Sequence, residues 1–199
     1  MGKRIGILCI CLGVVCILSA IGLVLYNQWE DRNAEKVAQA LLADVQSFME
    51  KKQPEQPVPE EAGQAPAQMP TVSVGGYDCI GILRIPALDL ELPVLTDWSY
   101  KKLKKAPCHY YGTYYGKDFV IAAHNFRSHF GRLSQLQAGD LVIFTDVNGT
   151  DHCYEVVLSE TLPKTATLEM ITSGFDLSLY TCTTGGASRV TVRCNAISQ

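Results

Sequence analysis

Three hydrophobic regimes succeed one another along the chain. Ile5–Tyr26 is an unbroken apolar run of 22 residues with no charge, and a helix crossing a bilayer needs about 20. Lys3 and Arg4 precede it, which favours a cytoplasmic N-terminus with everything beyond Tyr26 outside. An uncleaved signal anchor is therefore expected. A cleaved signal peptide is the competing reading, but the run is long for one and no A-x-A-like site follows it. Glu30–Lys51 is charged and helix-prone. Val37, Leu41, Val45 and Phe48 fall near helical spacing and make a thin apolar stripe. Such a helix leans on the domain or the membrane; it is short for a dimerising coiled coil. Gln53–Pro70 holds five prolines and almost no bulky apolar residue, so it reads as a semi-extended tether.

From Tyr77 the pattern changes to short β-type runs between turns. Ile80–Ile85 is one predicted strand, ended by Pro86, and Leu88–Val94 is a second. Asp118–His124 is a buried strand. Leu141–Thr145 and Cys153–Leu158 flank Asn148-Gly149, a hairpin signal. Leu177–Cys182 and Arg189–Ala196 close the set. Trp98–Lys104, Ser128–Leu136 and Leu168–Ile171 read as short helices or helical turns. Many closely spaced strands with little helix predict a mainly β fold, a closed barrel or a sandwich, of ordinary single-domain size. The expected division is a tail (1–4), an anchor (5–26), a juxtamembrane helix (27–52), a Pro-rich linker (53–76) and a folded domain (77–199).

Charge narrows the function classes. The net charge is −3, and −5 without Lys3 and Arg4, which argues against the basic patch of a nucleic-acid binder. Cysteine usage narrows them further. Of eight cysteines, Cys9, Cys11 and Cys16 fall within the anchor and act there as small hydrophobes. Cys79, Cys108, Cys153, Cys182 and Cys194 lie beyond it. An odd number leaves at least one thiol unpaired, while Cys79, Cys108, Cys153 and Cys194 are open to disulfide pairing whose connectivity the sequence does not set.

Two of the predicted strands end on chemistry. Asp118–His124 ends on His124 and Leu177–Cys182 on Cys182. A cysteine attacks as its thiolate, and a nearby imidazole activates it or takes its proton. Arg189 returns after Gly185-Gly186, where a guanidinium beside Cys182 can stabilise a developing oxyanion. Alone, each has a plainer reading as a framework Cys, a hydrogen-bonded His or a solvated Arg, and spacing cannot join residues so far apart. Cys108-His109 and His152-Cys153 make poor zinc pairs, because neighbours on a strand point to opposite faces and no C-x₂-C spacing exists. Asp140, Asp146 and Asp151 gather near the hairpin and read as a solvated turn. His129 reads as a surface residue of its helical turn. Asn148-Gly149-Thr150 matches a glycosylation sequon, which the turn explains.

Leu177-Ser178-Leu179-Tyr180-Thr181-Cys182 resembles the TLxTC signature of sortases, the cysteine transpeptidases of Gram-positive surfaces, with Ser178 where the signature usually has Thr. Val120–Asn125 resembles the family's histidine strand and Arg189–Arg193 its arginine-led last strand. Ile80–Pro86 followed by Leu92–Leu95 resembles its opening strands, and the order His, Cys, Arg agrees. The resemblance spans about residues 77–197. It implies a closed sortase-type β-barrel of about eight strands, with Cys182 as nucleophile, His124 as acid/base and Arg189 at the oxyanion. Arg193 shares strand parity with Arg189, but Arg189 lies nearer the turn. Thr181, Ser178 and Asn125 are candidate substrate-binding residues. The implied substrates are LPxTG-like sorting signals of secreted proteins, cut between Thr and Gly. The implied acceptor is an amine of a peptidoglycan precursor or a surface protein, at the outer face of the cell membrane. No cofactor is called for, although some relatives bind calcium through acidic loop residues. The tether lacks the aromatic motif of pilin-sortase lids, which leans against pilus assembly. The alternatives are an anchored binding domain of the same fold without catalysis, and another Cys–His enzyme. L,D-transpeptidases carry a compact His-Gly-Cys signature absent here, and papain-like peptidases place Cys before His.

Overall fold

The computed structural model describes residues 2–52 and 68–197. Most of the expected tether, residues 53–67, lies outside the described residues. The chain divides into two units, Met1–Asn33 and Ala34–Gln199. The first is the apolar part of helix α1 (Gly2–Lys52), whose large side chains from Ile7 to Trp29 are exposed. By length and composition this stretch can cross a membrane.

The second unit is a β-barrel. Its strands are β1 (Val72–Val74), β2 (Tyr77–Ile85), β3 (Leu90–Leu95), β4 (Cys108–Tyr111), β5 (Phe119–Ala122), β6 (Leu141–Asp146), β7 (Asp151–Pro163), β8 (Leu177–Cys182) and β9 (Ser188–Ala196). They follow the order β1-β2-β3-β4-β5-β8-β9-β7-β6, and β6 pairs back onto β2. Strands β2 to β9 thus close an eight-stranded barrel, the architecture expected. β3–β4 and β5–β8 are parallel and the other pairings antiparallel. Closure runs over Gly81, where an added methyl would collide with the Thr145 carbonyl oxygen of β6. A glycine there lets the two backbones meet.

Strand parity builds the interior. Ile80, Leu83, Phe119, Ile121, Phe144, Leu177, Leu179 and Val192 point inward into one cluster, and burying such side chains contributes about 1.5–3 kcal/mol each. A second cluster forms on the outside of the wall. Ala34, Ala38, Leu41, Leu42 and Val45 of α1 are buried, and Leu41, Leu42 and Val45 pack against Val72, Cys79, Ile82, Leu95, Cys108 and Val147. The expected stripe is thus shifted: Ala34, Ala38 and Leu42 join it, while Phe48 stays exposed at 39%. Part of the expected linker, Val72–Val74, pairs antiparallel with β2 as β1.

The short helices are α2 (Tyr100–Leu103) and α3 (Thr167–Ile171). Ser99 caps α2 by accepting from the Lys102 amide at 3.2 Å, the N-cap role its hydroxyl suits. The turn expected at Ser128–Leu136 is a 3-10 turn at Leu133–Gln135. His129 is not on the surface: it is fully buried, with its ring edge-on to Phe126. A helical turn has an inner face, and the barrel supplies partners that local polarity does not announce.

Candidate active site

Strands β5, β8 and β9 carry the predicted residues. β5 and β8 run parallel with Ala122 opposite Tyr180, and the Ala123 amide bonds the Tyr180 carbonyl oxygen at 3.1 Å. The strand pairing ends there, and His124 lies two residues beyond Ala122, as Cys182 lies two beyond Tyr180. β8 and β9 run antiparallel with Cys182 directly opposite Arg189. Paired residues share a face, so Cys182 and Arg189 stand on one face at one end of β8 and β9, with His124 just past the same end of the neighbouring β5. That face is the outside of the barrel wall, since Leu177 and Leu179 of alternate parity fill the interior.

The register is anchored at the strands' other end. Asp118, just before β5, adopts a left-handed conformation (φ 59°). Its Oδ1 accepts from the Ser173 amide (2.7 Å), the Ser173 hydroxyl (2.8 Å) and the Gly174 amide (2.9 Å), just before β8. Burial pushes this carboxyl up, but the bonds from Ser173 and Gly174 and the Arg193 charge outweigh that. Its pKa therefore lies below the ordinary carboxylate value.

Each catalytic candidate is held locally. The His124 ring stacks on Phe126 with centroids 4.1 Å apart and planes 14° from parallel. The His124 carbonyl accepts from the Phe130 amide at 3.3 Å. Arg189 Nη1 donates to the carbonyls of Gly186 (3.1 Å) and Ser188 (3.0 Å), which ties the guanidinium to the β8–β9 turn. Gly185 and Gly186, with φ of 83° and 74°, supply the left-handed turn that brings Arg189 back.

Cys182 is half-exposed and opens, with Arg189, into a cleft of about 200 Å³. Its floor is Ala122, Ala123, Tyr180 and Cys182. One wall is the β3–β4 connection with Trp98, Tyr100 and Leu103. The other is the β7–β8 connection with Pro163, Lys164, Ala166, Thr167 and Met170. Tyr180 meets Tyr110 edge-to-face at 5.3 Å, Tyr110 meets Trp98 at 5.6 Å, and Trp98 meets Tyr100 edge-to-face at 5.7 Å. This row was not anticipated; the only signal for it was aromatic density in residues 98–111. Burial holds the Tyr180 hydroxyl well above its ordinary pKa, and Tyr110 and Cys182 add to this against the Arg189 charge, so it is a neutral donor.

The remaining candidates are placed differently. Asn125 follows His124 at a half-buried bend. Thr181 is buried, and its hydroxyl donates to the Ala123 carbonyl at 2.9 Å, tying β8 to the end of β5. Ser178 is fully buried and accepts from Arg193 at 2.8 Å. Neither hydroxyl is open to the cleft: Thr181 is tied to the end of β5, and Ser178 is covered by Arg193 beneath α3. Arg193 itself is buried, at 2% exposure, and does not join Arg189.

Among the described residues no two cysteines are bridged. Cys79 and Cys108 lie on the two strands that flank Leu95, too far apart to bridge. Burial pushes the thiols of Cys79, Cys108 and Cys194 up to about 12, which makes them inert beside the half-exposed Cys182. Among the described residues no group of His, Cys, Asp or Glu is arranged to hold a metal. Both ring nitrogens of His109 meet backbone carbonyls, of Thr96 (3.0 Å) and Gly112 (2.8 Å). Asp146 caps the β6–β7 turn through the Asn148 and Thr150 amides and lies 3.5 Å from His152. Asp151 pairs with Arg84 at 3.1 Å, and Asp140 accepts from the Gln137 amide. A second cavity, of about 400 Å³, opens at the far end of β8 and β9 beside Tyr115, Lys117, His152 and Asp176.

Two parallel strands, one ending just before His124 and the other on Cys182, with Arg189 paired opposite Cys182, stand on the wall of a closed mixed barrel. The sortase-domain family model matches residues 83–197, and the chain belongs to the sortase family. No curated protein matches the chain. Among solved structures it is similar to sortase C1 of Streptococcus suis, with 28% identity over 61% of this chain and 74% of that one, at a TM-score of 0.54. Sortase A of Corynebacterium diphtheriae is 22% identical, with 62% of each chain covered and a TM-score of 0.55. Sortase C of Streptococcus pneumoniae is 24% identical, over 85% of this chain and 89% of that one, at 0.57. The chain thus spans about 62% of the length of the Corynebacterium diphtheriae protein. Class A and class C sortases score alike, so the likeness does not divide the subclasses.

Proposed function

We propose that the protein is a membrane-anchored cysteine transpeptidase that cleaves an LPxTG-like sorting signal between Thr and Gly. The observation that supports this is the pairing of Cys182 with Arg189 across β8 and β9, with His124 two residues past Ala122, the last β5 residue paired with β8. The apolar part of α1 would be the anchor, with the N-terminus cytoplasmic and the barrel outside.

In this reading the Cys182 thiolate attacks the Thr carbonyl carbon. Arg189 hydrogen-bonds the oxygen as it becomes negative. The C–N bond to Gly then breaks, and His124 gives its proton to the departing amine. A thioester joins the substrate's Thr to Cys182 Sγ. An incoming amine, from a peptidoglycan precursor or a surface protein, loses a proton to His124 and attacks the thioester. The thiolate departs and a new amide remains. Water in place of the amine gives hydrolysis. The cleft runs along Tyr180 and Ala122 toward Cys182, which suits an extended peptide.

The test uses the full chain in detergent micelles against a panel of fluorogenic LPxTG-like peptides, with and without a primary amine. Wild type should cut, and Cys182→Ala should lose all cleavage. His124→Ala and Arg189→Ala should lose about 10²–10⁴-fold, the range for general acid–base and oxyanion groups. Amine should divert the product to the amide. Binding of sorting peptides with no cleavage, unaltered in Cys182→Ala, would instead make this an anchored binding domain.

A further inference from the structure

Arg193 is among the largest fully buried side chains in the protein, yet it sits four residues along the same face of β9 as Arg189. Its fork reaches three elements at once. Nε donates to Glu160 Oε1 on β7 at 2.8 Å, and Nη1 to Ser178 Oγ on β8 at 2.8 Å. Nη2 donates to the Glu169 carbonyl at 2.7 Å, and Nη1 to the Met170 carbonyl at 3.4 Å. Those two carbonyls belong to the last turn of α3. The guanidinium also lies over the Phe175 ring at 5.9 Å.

The last carbonyls of a helix have no partner within it, and positive charge is favoured at that end. α3 has five residues, too few to persist on its own hydrogen bonds. The guanidinium beneath its C-terminal end ties it to the sheet, alongside the buried Met170 side chain. α3 is also one wall of the cleft: Ala166, Thr167 and Met170 line the space above Tyr180 and Cys182. Burying an ion pair adds little net stability compared with an apolar side chain of the same size. What a planar fork supplies is direction, since each donor fixes one acceptor's place, and a lysine ammonium cannot reproduce that geometry.

We propose that Arg193 is a positioning residue for substrate recognition: it clamps α3 to β7 and β8 and so sets the width of the peptide cleft. It takes no part in the thiol chemistry, which belongs to the other end of β9. Ser178 is part of the clamp, and its hydroxyl serves Arg193 rather than the substrate. The inference takes the cleft beside Cys182 as the peptide site and so rests on the function proposed above.

The test compares wild type with Arg193→Met, Arg193→Lys and Ser178→Ala, all as full chains in detergent. Hydrogen exchange is followed at the Met170 and Thr172 amides, which bond the Ala166 and Leu168 carbonyls. Arg193→Met should raise exchange at these two amides about tenfold while the β8–β9 ladder stays protected. KM for the cleaved peptide should rise about tenfold with kcat within about twofold, the pattern of lost binding without lost chemistry. The alkylation rate of Cys182 should not change. Arg193→Lys should fall between, and Ser178→Ala, which removes one contact, should show a smaller change at the same two amides. Exchange unchanged at Met170 and Thr172, or raised equally throughout the barrel, overturns the clamp, as does a fall in kcat at constant KM. Should Arg193→Met not fold, Ser178→Ala decides by the same local readout. Wild type that cuts no peptide counts against the proposed function, and the exchange measurement then judges the clamp by itself.

Discussion

Asp118 offers the sharpest test of how the site is assembled. Its carboxylate collects three donors from Ser173 and Gly174, so β5 and β8 start in a fixed register and finish with Ala122 opposite Tyr180, next to His124 and Cys182 in the chain. A hydrogen bond to a charged acceptor contributes about 1.5–3 kcal/mol. Ser173 is half-buried and Gly174 exposed, so freed donors recover water, and about 2 kcal/mol for the set is a fair magnitude. The left-handed backbone at Asp118 adds a second contribution, because that conformation costs about 1–2 kcal/mol in an ordinary residue and nothing in glycine. Asp118→Ala should therefore destabilise by about 3 kcal/mol, Asp118→Gly by about 2, and Asp118→Asn, which keeps an acceptor oxygen and tolerates the backbone, by about 1. Urea unfolding of the full chain in detergent, followed by near-UV circular dichroism, reads the series. Peptide cleavage should fall with Asp118→Ala as the strand ends lose their alignment. The folded carboxyl ionises more readily than the unfolded one, so its contribution is complete above about pH 4 and fades as the pH falls below it. The gap between wild type and Asp118→Asn should close over that acid range. If Asp118→Ala lies within about 0.5 kcal/mol of wild type, as for a neutral surface change, or if Ala, Gly and Asn destabilise alike, the carboxylate does not set the register.

Two further outcomes follow from burial. Iodoacetamide at neutral pH should modify Cys182 and the half-exposed Cys153 but spare Cys79, Cys108 and Cys194, as peptide mass spectrometry would show; labelling of the three buried thiols in folded protein would contradict the packing. A chain starting at Ala34 should be more stable than one starting at Thr71. The helix buries Leu41, Leu42 and Val45 on the barrel wall, which at about 1.5–3 kcal/mol each, less the entropy of ordering the helix, leaves a few kcal/mol; equal thermal midpoints would show that the helix does not dock.

The strand ends that carry His124, Cys182 and Arg189 were legible in residue order because they are local features. His124 and Cys182 each close an apolar run, and Arg189 follows the glycine turn that returns it. The long apolar stretch and most of the strands were legible for the same reason: an unbroken apolar run, period-two patterning and turn residues are all read over neighbouring positions. The closed barrel itself came from the family resemblance, since patterning alone also allowed a sandwich. β4 was missed because Cys108–Tyr111 is four residues beside Pro107 and joins β3 through one pair, too little for a pattern. What only the tertiary structure decided is which faces are covered. Parity places Arg189 and Arg193 on one side of β9 but cannot tell that α3 closes over the second and leaves the first open. Likewise Ser178 and Thr181 read as hydroxyls available to substrate, and become internal ties once Arg193 and the Ala123 carbonyl stand within reach. The stripe on α1 announced a buried face, but its partner is a set of outward-facing side chains on four strands and the β6–β7 turn, a surface that exists only after the barrel has closed.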